Sequence, residues 1–435
     1  MMRILFMAQC YAPEDVSAAV LITELATDLV SRGHEVTFIT GAPNYPQGRV
    51  FPGYRNRLYQ VERLDGVRVV RTWSYISPHK TFWRRLFHYG TYSATAFYGG
   101  LLAGRPDIVV NYSPPLPLGL SAWLLSRIWR VPWVLQLEDL YPDAAVATGV
   151  LQNRLAIWAF AAVERFLYRH ATHISLIAES FRQNLLRKGV PPERMTLIPV
   201  WADPDVVRPL GKENAFREAH GLTGRFVVLY AGNIGVTSCL EDVLEAATLL
   251  RDEADIRFVI VGEGVKKVAL EEAAHGRGLS NILFLPFQPR DAYPTMMAAA
   301  DVSLVTLNAS SALTSLPSKT FNTMASARPI LAVAPPESEL GQLVQTTGCG
   351  CVVPPEEPDA LATTILELRD CPEWLEEMGW NGRAQLETRF ARQHCVDLYE
   401  AMLHRLVAAR AAEAGAGSIE PAGGAGIARD GEGSR

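Results

Sequence analysis

Short apolar, β-branched runs alternate with amphipathic helical patterns along this chain, and they do so in two successive series. Strands that read as continuous apolar runs are buried on both faces, as in parallel sheets covered by helices. The first series comprises Arg3 to Ala8, Glu35 to Thr40, Val67 to Val70, Ile108 to Asn111, Val134 to Leu137, Ile174 to Ile177 and Met195 to Val200. Between its first two strands, Ala18 to Arg32 places Leu21, Ile22, Leu25 and Leu29 on one helical face, and Gly33 supplies the stop. A polar stretch over 204–222 then breaks the pattern and reads as a linker. The second series comprises Phe226 to Tyr230, Phe258 to Val261, Ile282 to Leu285, Val302 to Val305 and Ile330 to Val333. The expected fold is α/β, with two Rossmann-like domains over 1–203 and 223–385 facing a central cleft. Ligands in such sheets bind beyond the carboxyl ends of the strands. Residues 386–410 are expected to form a helix returning to the first domain. The Gly/Ala-rich segment 411–435 reads as a disordered tail.

With 435 residues, 49% hydrophobic, the chain has material for two cores. A net charge of -5 gives no electrostatic reason to expect nucleic-acid binding. Six scattered cysteines do not form a disulfide framework and fit a reducing cytoplasm. Cys349-Gly350-Cys351 lacks a second Cys/His pair, so no zinc site is expected. The start of the chain runs straight into a strand pattern, without a signal-peptide pattern, and no stretch reaches the uncharged length of a membrane span. Phe82 to Tyr98 mixes bases and aromatics before an apolar run. It reads as a core helix or as a peripheral membrane contact at the inner face of the plasma membrane.

Lys319 carries the strongest chemical signal. Pro317 and Ser318 are helix-start residues, and Phe321, Met324 and Ala325 follow at helical spacing. A lysine in a first turn opposes the helix dipole unless an anion occupies that end. Lys266 and Lys267 repeat the placement after Val261-Gly262-Glu263-Gly264. That segment starts like a dinucleotide fingerprint, but Lys267 stands where the third glycine belongs. No acidic residue closes Ile282 to Leu285, which argues against nicotinamide binding. A phosphate-bearing ligand in the second domain is the expectation. Gly232, Asn233 and Gly235 follow the first strand of that domain, where glycines let a backbone approach a ligand.

In the first domain Glu138 and Asp139 follow an apolar strand, placed to orient sugar hydroxyls or move a proton. A metal site competes there, but no histidine or paired cysteine accompanies them, and Asp143 also reads as a helix cap. The loop Gly41 to Gly48 carries Asn44 and Tyr45, suited to an acceptor. No Gly-x-Ser-x-Gly element supports covalent hydrolase chemistry.

Taken in order, several segments resemble the retaining family 4 glycosyltransferases with the GT-B fold. Arg3-Ile4-Leu5-Phe6, Leu25-Ala26 and Arg32-Gly33-His34-Glu35-Val36-Thr37 look like that family's opening. Gly41-Ala42-Pro43-Asn44-Tyr45-Pro46 and Asp139-Leu140-Tyr141-Pro142-Asp143 look like its bacterial surface-polysaccharide branch. Ile198-Pro199-Val200-Trp201-Ala202-Asp203 resembles its domain crossover, and Pro317-Ser318-Lys319 with Glu337-Ser338-Glu339 its colanic-acid fucosyltransferase-like subgroup. The likeness spans about residues 2 to 405.

The resemblance implies transfer with retention from a nucleotide diphosphate sugar to a lipid-linked oligosaccharide, without metal or other cofactor. Donor contacts would be Gly232, Asn233, Gly235, Gly264, Lys266, Ser318, Lys319, Asn322 and Glu339. Acceptor contacts would be Ser17, Asn44 and Tyr45, with Glu138 and Asp139 catalytic, Asp139 first. Two departures stand out. Thr314 and Asn322 occupy the places of the family's paired glutamates, and Gly232 to Ser238 lacks its usual arginine and lysine. A nucleotide-sugar epimerase of the same architecture and an inactive scaffold of polysaccharide assembly are the rival readings.

Overall fold

The computed structural model describes residues 1–416 except 80, 148, 311 and 313–315, so Thr314 lies outside the described residues. The first domain holds β1 (Arg3–Met7), β2 (Glu35–Gly41), β3 (Tyr59–Leu64), β4 (Val67–Thr72), β5 (Ile108–Ser113), β6 (Trp133–Leu137), β7 (His173–Leu176) and β8 (Met195–Leu197). Their order is β3-β4-β2-β1-β5-β6-β7-β8, parallel except where β3 pairs β4. The second domain holds β9 (Phe226–Ala231), β10 (Ile256–Val261), β11 (Ile282–Leu285), β12 (Val302–Thr306), β13 (Ile330–Val333) and β14 (Gly350–Val353). Their order is β11-β10-β9-β12-β13-β14, parallel throughout. Both sheets reverse their winding once, between β1 and β5 and between β9 and β12. The crevices that take ligands in such sheets open there.

Strands β3 and β14 go beyond the sequence reading. At the sheet edge β3 leaves one face to solvent, so Tyr-Gln-Val-Glu-Arg-Leu need not be an apolar run. Asp65 and Gly66 join β3 to β4 with φ of 47° and 81°, the two left-handed positions of a tight hairpin turn.

The expected linker is shorter than 204–222. Asn214 caps the helix Ala215–Ala219, whose Phe216 packs with Val227, Leu229 and Met297 under the second sheet. Arg217 is fully buried there, donating to Asp301 at 2.5 Å and to the Ala299 carbonyl at 2.8 Å. A buried guanidinium with these partners belongs to the second domain's core.

After the helix Pro372–Gln385 the chain turns through Leu386–Phe390 and enters the long helix Arg392–Ala416. Cys395, Val396, Tyr399, Met402 and Leu403 pack with Leu25 and Leu29 of the helix Ser17–Ser31. Arg392 clamps Asp28 through two bonds of 2.8 and 2.7 Å. Two crossings between domains run side by side, with Ala202 N–H to the Phe390 carbonyl and Arg392 N–H to the Ala202 carbonyl. Residues 411–416 continue this helix, a correction to the tail expected from residue 411; the rest of that segment lies outside the described residues.

Candidate active site

On the second domain's side, two glycine loops follow β9 and β10 and press together by their backbones. Gly232 and Gly262 have φ of 156° and 154°, and a Cβ on Gly262 would lie 1.9 Å from the Gly232 carbonyl oxygen. One on Gly264 would lie 2.1 Å from that of Ile234. Side chains are excluded at these positions, which leaves a bare backbone rim.

Lys319 reaches this rim from the start of the helix Lys319–Ala325. Its Nζ stands 3.6 Å from the centroid of the Tyr230 ring and 3.0 Å from where a Gly232 Cβ would be. Tyr230 donates its hydroxyl to the Asn233 carbonyl at 2.7 Å, fixing the ring beneath the ammonium. No carboxylate pairs with Lys319 among the described residues. Its charge is offset by a ring face alone, a weak partner that leaves the ammonium able to meet an anion.

Other expected donor contacts are engaged elsewhere. Lys266 pairs with Glu241 at 2.6 Å, and its neighbour Lys267, outside the expected donor set, with Glu263 at 2.8 Å. Glu339 spends both oxygens on the first domain, accepting from Glu179 N–H at 3.0 Å and Ser180 N–H at 2.8 Å. It thereby caps the helix Glu179–Arg187 across the domain boundary. Asn322 lies beside the half-buried phenol of Tyr293. Ser318 does not act as the expected cap, because its backbone is already helical. Its Oγ accepts instead from Ser17 Oγ at 2.8 Å, joining an expected donor residue to an expected acceptor residue.

On the first domain's side, Glu138 and Asp139 follow β6 and are half-buried. Burial pushes Glu138 up to about 7, aided by neighbouring Asp139 and opposed by a 3.0 Å bond from Gln136 Nε2. Burial pushes Asp139 up to about 6. Asp139 has no hydrogen-bond or ionic partner among the described residues, whereas Glu138 is held. Tyr89 lies within electrostatic reach of Arg85, Tyr141, Asp139 and Tyr45. Ala18 and Glu138 line one small cavity, and Ser17 next door bonds Ser318. Glu138 and the domain seam are therefore contiguous.

Glu14 is the residue that sequence reading missed here. It is buried and accepts from Asn44 N–H at 2.9 Å, Tyr45 N–H at 2.8 Å and Tyr11 N–H at 3.3 Å. Asn44 and Tyr45 are thus placed through their backbone by an acid two loops away. Asp143, weighed as a cap, starts the short helix Asp143–Ala147 and pairs with Lys188 at 2.8 Å.

Among the described residues, His34, Glu400 and His404 cluster with metal-like spacing, at the contact of the C-terminal helix. His34 Nδ1 accepts from Met2 N–H, so Nε2 carries the ring proton and gives it to Glu400. Arg32 takes the other Glu400 oxygen at 2.6 Å. These groups are satisfied as a tether and do not fit a metal.

Two family models divide the chain almost as the sheets do. A "Glycosyl transferase 4-like domain" matches residues 18–201, and "Glycosyl transferases group 1" matches residues 212–385. The putative colanic acid biosynthesis glycosyl transferase WcaI of Escherichia coli is 33% identical, over 84% of this chain and 91% of its own. The chain belongs to the family 4 branch of the GT-B glycosyltransferases. In fold, this glycosyltransferase is similar to sucrose-phosphate synthase from Thermosynechococcus elongatus, with TM-score 0.72 and 18% identity over 94% of this chain and 100% of that one. It is also similar to Anabaena HepE in complex with UDP-glucose, with TM-score 0.69 and 16% identity over 92% and 99%. The ammonium beside the Gly232 loop, unpaired with any carboxylate among the described residues, comes from the later helix at Lys319, since the loop itself supplies no base.

Proposed function

We propose that this glycosyltransferase moves a sugar, with retention, from a nucleotide diphosphate donor to a growing lipid-linked oligosaccharide in bacterial surface-polysaccharide synthesis. The observation that carries the reading is Lys319, a lysine without a carboxylate partner among the described residues, held over Tyr230 at a rim of glycine backbone. The acceptor hydroxyl attacks the anomeric carbon, the bond from that carbon to the diphosphate breaks, and the hydroxyl proton leaves on the departing phosphate. Charge therefore develops on the diphosphate, where Lys319 and backbone N–H groups stabilise it most in the transition state. Ser318 lies beside the donor, and Ser17, Asn44 and Tyr45 face the acceptor. Asp139, half-buried and unpartnered, orients the reacting sugar, with Glu138 behind it. The chemistry requires neither metal nor other cofactor. The likeness to WcaI supports the polysaccharide setting, and HepE, solved with UDP-glucose, supports the donor class.

A lipid-linked acceptor calls for a membrane-facing surface. The neighbouring helices Phe82–Ala103, Leu118–Trp129 and Arg154–His170 expose Trp83, Phe87, Ile128, Leu155 and Trp158. Their single carboxylate, Glu164, is buried and paired with Lys188. An apolar surface bearing Arg84 and Arg85, with no exposed acid on these helices, suits the anionic inner face of a plasma membrane. No helix among the described residues is long and apolar enough to cross a membrane.

A thermal-shift screen over nucleotide sugars tests the donor class directly, because a ligand bound to the native state raises its melting temperature. The expected result is stabilisation by one nucleoside diphosphate and its sugar conjugate, followed by acceptor-dependent transfer of that sugar with its anomeric configuration retained. Conversion of that donor to an isomer without acceptor replaces transfer with epimerisation. Binding without turnover over a broad acceptor panel replaces it with a scaffold. Flotation with anionic vesicles tests the surface: exchange of Arg84 and Arg85 for glutamine should lower it, and unchanged flotation removes them from the contact.

A further inference from the structure

Glu138 is tied to the far end of the chain. Gln136, on β6, is buried and gives its Nε2–H to Glu138 Oε1 at 3.0 Å. Its Oε1 accepts from the Tyr399 hydroxyl at 2.9 Å. The Tyr399 phenol lies beside that of Tyr112, and both rings are buried. The direction of this chain follows from its end. An ionised carboxylate only accepts, so in that form Glu138 takes the NH2 of Gln136, whose oxygen turns toward a donor, which Tyr399 supplies. Without that donor the amide oxygen loses its partner and the amide is held from one end alone, which loosens the one hydrogen bond that the Glu138 carboxylate has among the described residues.

We propose that Tyr399 is a positioning residue for the transfer reaction. Through Gln136 it holds the Glu138 carboxylate in place, which makes the C-terminal helix part of the active site. The proposal rests on the role given to Glu138 above. A purely structural tether is a poor account of Tyr399, because the helix has its own anchors. Arg392 binds Asp28 and Asp203, and Arg32 binds Glu400. The packing of the ring does not need the hydroxyl either. The titratable groups that interact with Glu138 are Asp139, Cys10, Tyr112 and Tyr399, with no cation among them. A lost N–H donor therefore has no nearby positive charge to replace it, and the charged form of Glu138 is directly disfavoured.

The test compares the full-length protein with Tyr399→Phe, Gln136→Met and the double variant. Glu138 is titrated without substrate by difference infrared spectroscopy against Glu138→Gln. Each single variant should move that titration upward by about half a pH unit or more, with no further movement in the double variant. In turnover, kcat should fall about 10-fold, the worth of one hydrogen bond to a charged group, at unchanged donor KM. The acid limb of the kcat profile should follow the infrared shift. Should Tyr399→Phe fail to fold, Gln136→Met carries the same reading. An unshifted titration in either folded variant overturns the positioning role, whether or not the wild type transfers sugar. A shifted titration in a wild type that transfers nothing overturns the function reading and leaves the hydrogen-bond chain standing.

Discussion

Lys319 and Lys266 enter the second domain in the same way. Each stands at the opening of a helix beyond the carboxyl edge of one parallel sheet, where the helix dipole disfavours positive charge. Their surroundings differ. Lys266 reaches Glu241, an acid in the first turn of the next helix over, and its charge is neutralised within the protein. Lys319 reaches an aromatic face and a glycine rim, and its charge is left for something else. A lysine at the wrong end of a helix is thus an ambiguous sign until its partner is known. The partner separates a site from a surface ion pair.

The comparison breaks most decisively at Lys319. Lys319→Ala should lower kcat/KM by roughly 100-fold or more, as expected for a preorganised cation at a developing charge. The melting temperature should stay near that of the wild type, since the side chain supports no buried ion pair. Near-normal kinetics in a folded Lys319→Ala protein would remove the diphosphate from this rim.

Tyr230 is the next lever, because it is what distinguishes the two lysines. Tyr230→Leu removes the ring face and should weaken the donor by about 3- to 30-fold, the range of a cation–π contact. Tyr230→Phe keeps the ring and loses only the bond to Asn233, so it should fall between the leucine variant and the wild type. Isothermal titration with the nucleoside diphosphate separates the three. Equal affinity in the leucine variant would mean that Lys319 finds its place without the ring.

How far the sequence reveals this depends on where the partners come from. The parallel strands are legible because both faces are buried and their residues are apolar without interruption. Strand β3 escapes because Arg63 lies on its exposed face while Glu62, on the other, pairs with buried Arg71, although Asp65-Gly66 marks its hairpin. Strand β14, short and glycine-led at a sheet edge, offers only Gly-Cys-Val-Val. Lys319 and the acids after β6 are legible as placements, since strand and helix ends can be read by spacing. Tyr230, Glu241, Glu14 and Tyr399 are not, because each meets its partner through the fold. Spacing along the chain carries no trace of such a meeting. Glu339 illustrates the same gap: its place at a helix start is readable, while its bonds to Glu179 and Ser180 require both domains at once.

A pH experiment extends the contrast to the other half of the seam, where acids are half-buried. Glu138 is raised from 4.5 to about 7 and Asp139 from 3.8 to about 6, chiefly by burial. Their folded-state pKa values exceed the unfolded ones, so the native state binds more protons in between. Stability contributed by these groups is then fully present below about pH 4 and is lost as pH rises through 6 and 7. Glu138→Gln should therefore raise the melting temperature more at pH 8 than at pH 4.5, by a few degrees at most. An equal change at both values would place the burial cost elsewhere.

The smallest expected effect is the most discriminating for the opening contrast. Lys266→Ala removes a lysine placed as Lys319 is, at the same sheet edge, but one whose charge Glu241 already answers. The pair is partly exposed, and such ion pairs contribute about 0–1 kcal/mol. Donor affinity should change by no more than about 5-fold, the equivalent of that energy, and by far less than in Lys319→Ala. Glu241→Ala supplies the complementary arm. If pairing is what keeps Lys266 from the ligand, freeing it should leave donor affinity unchanged or raise it slightly, with the gain fading as salt increases. A large loss in Lys266→Ala would show that the donor breaks the Glu241 pair to recruit this lysine. The site would then hold two cations, and the static partner would no longer separate the two helix starts.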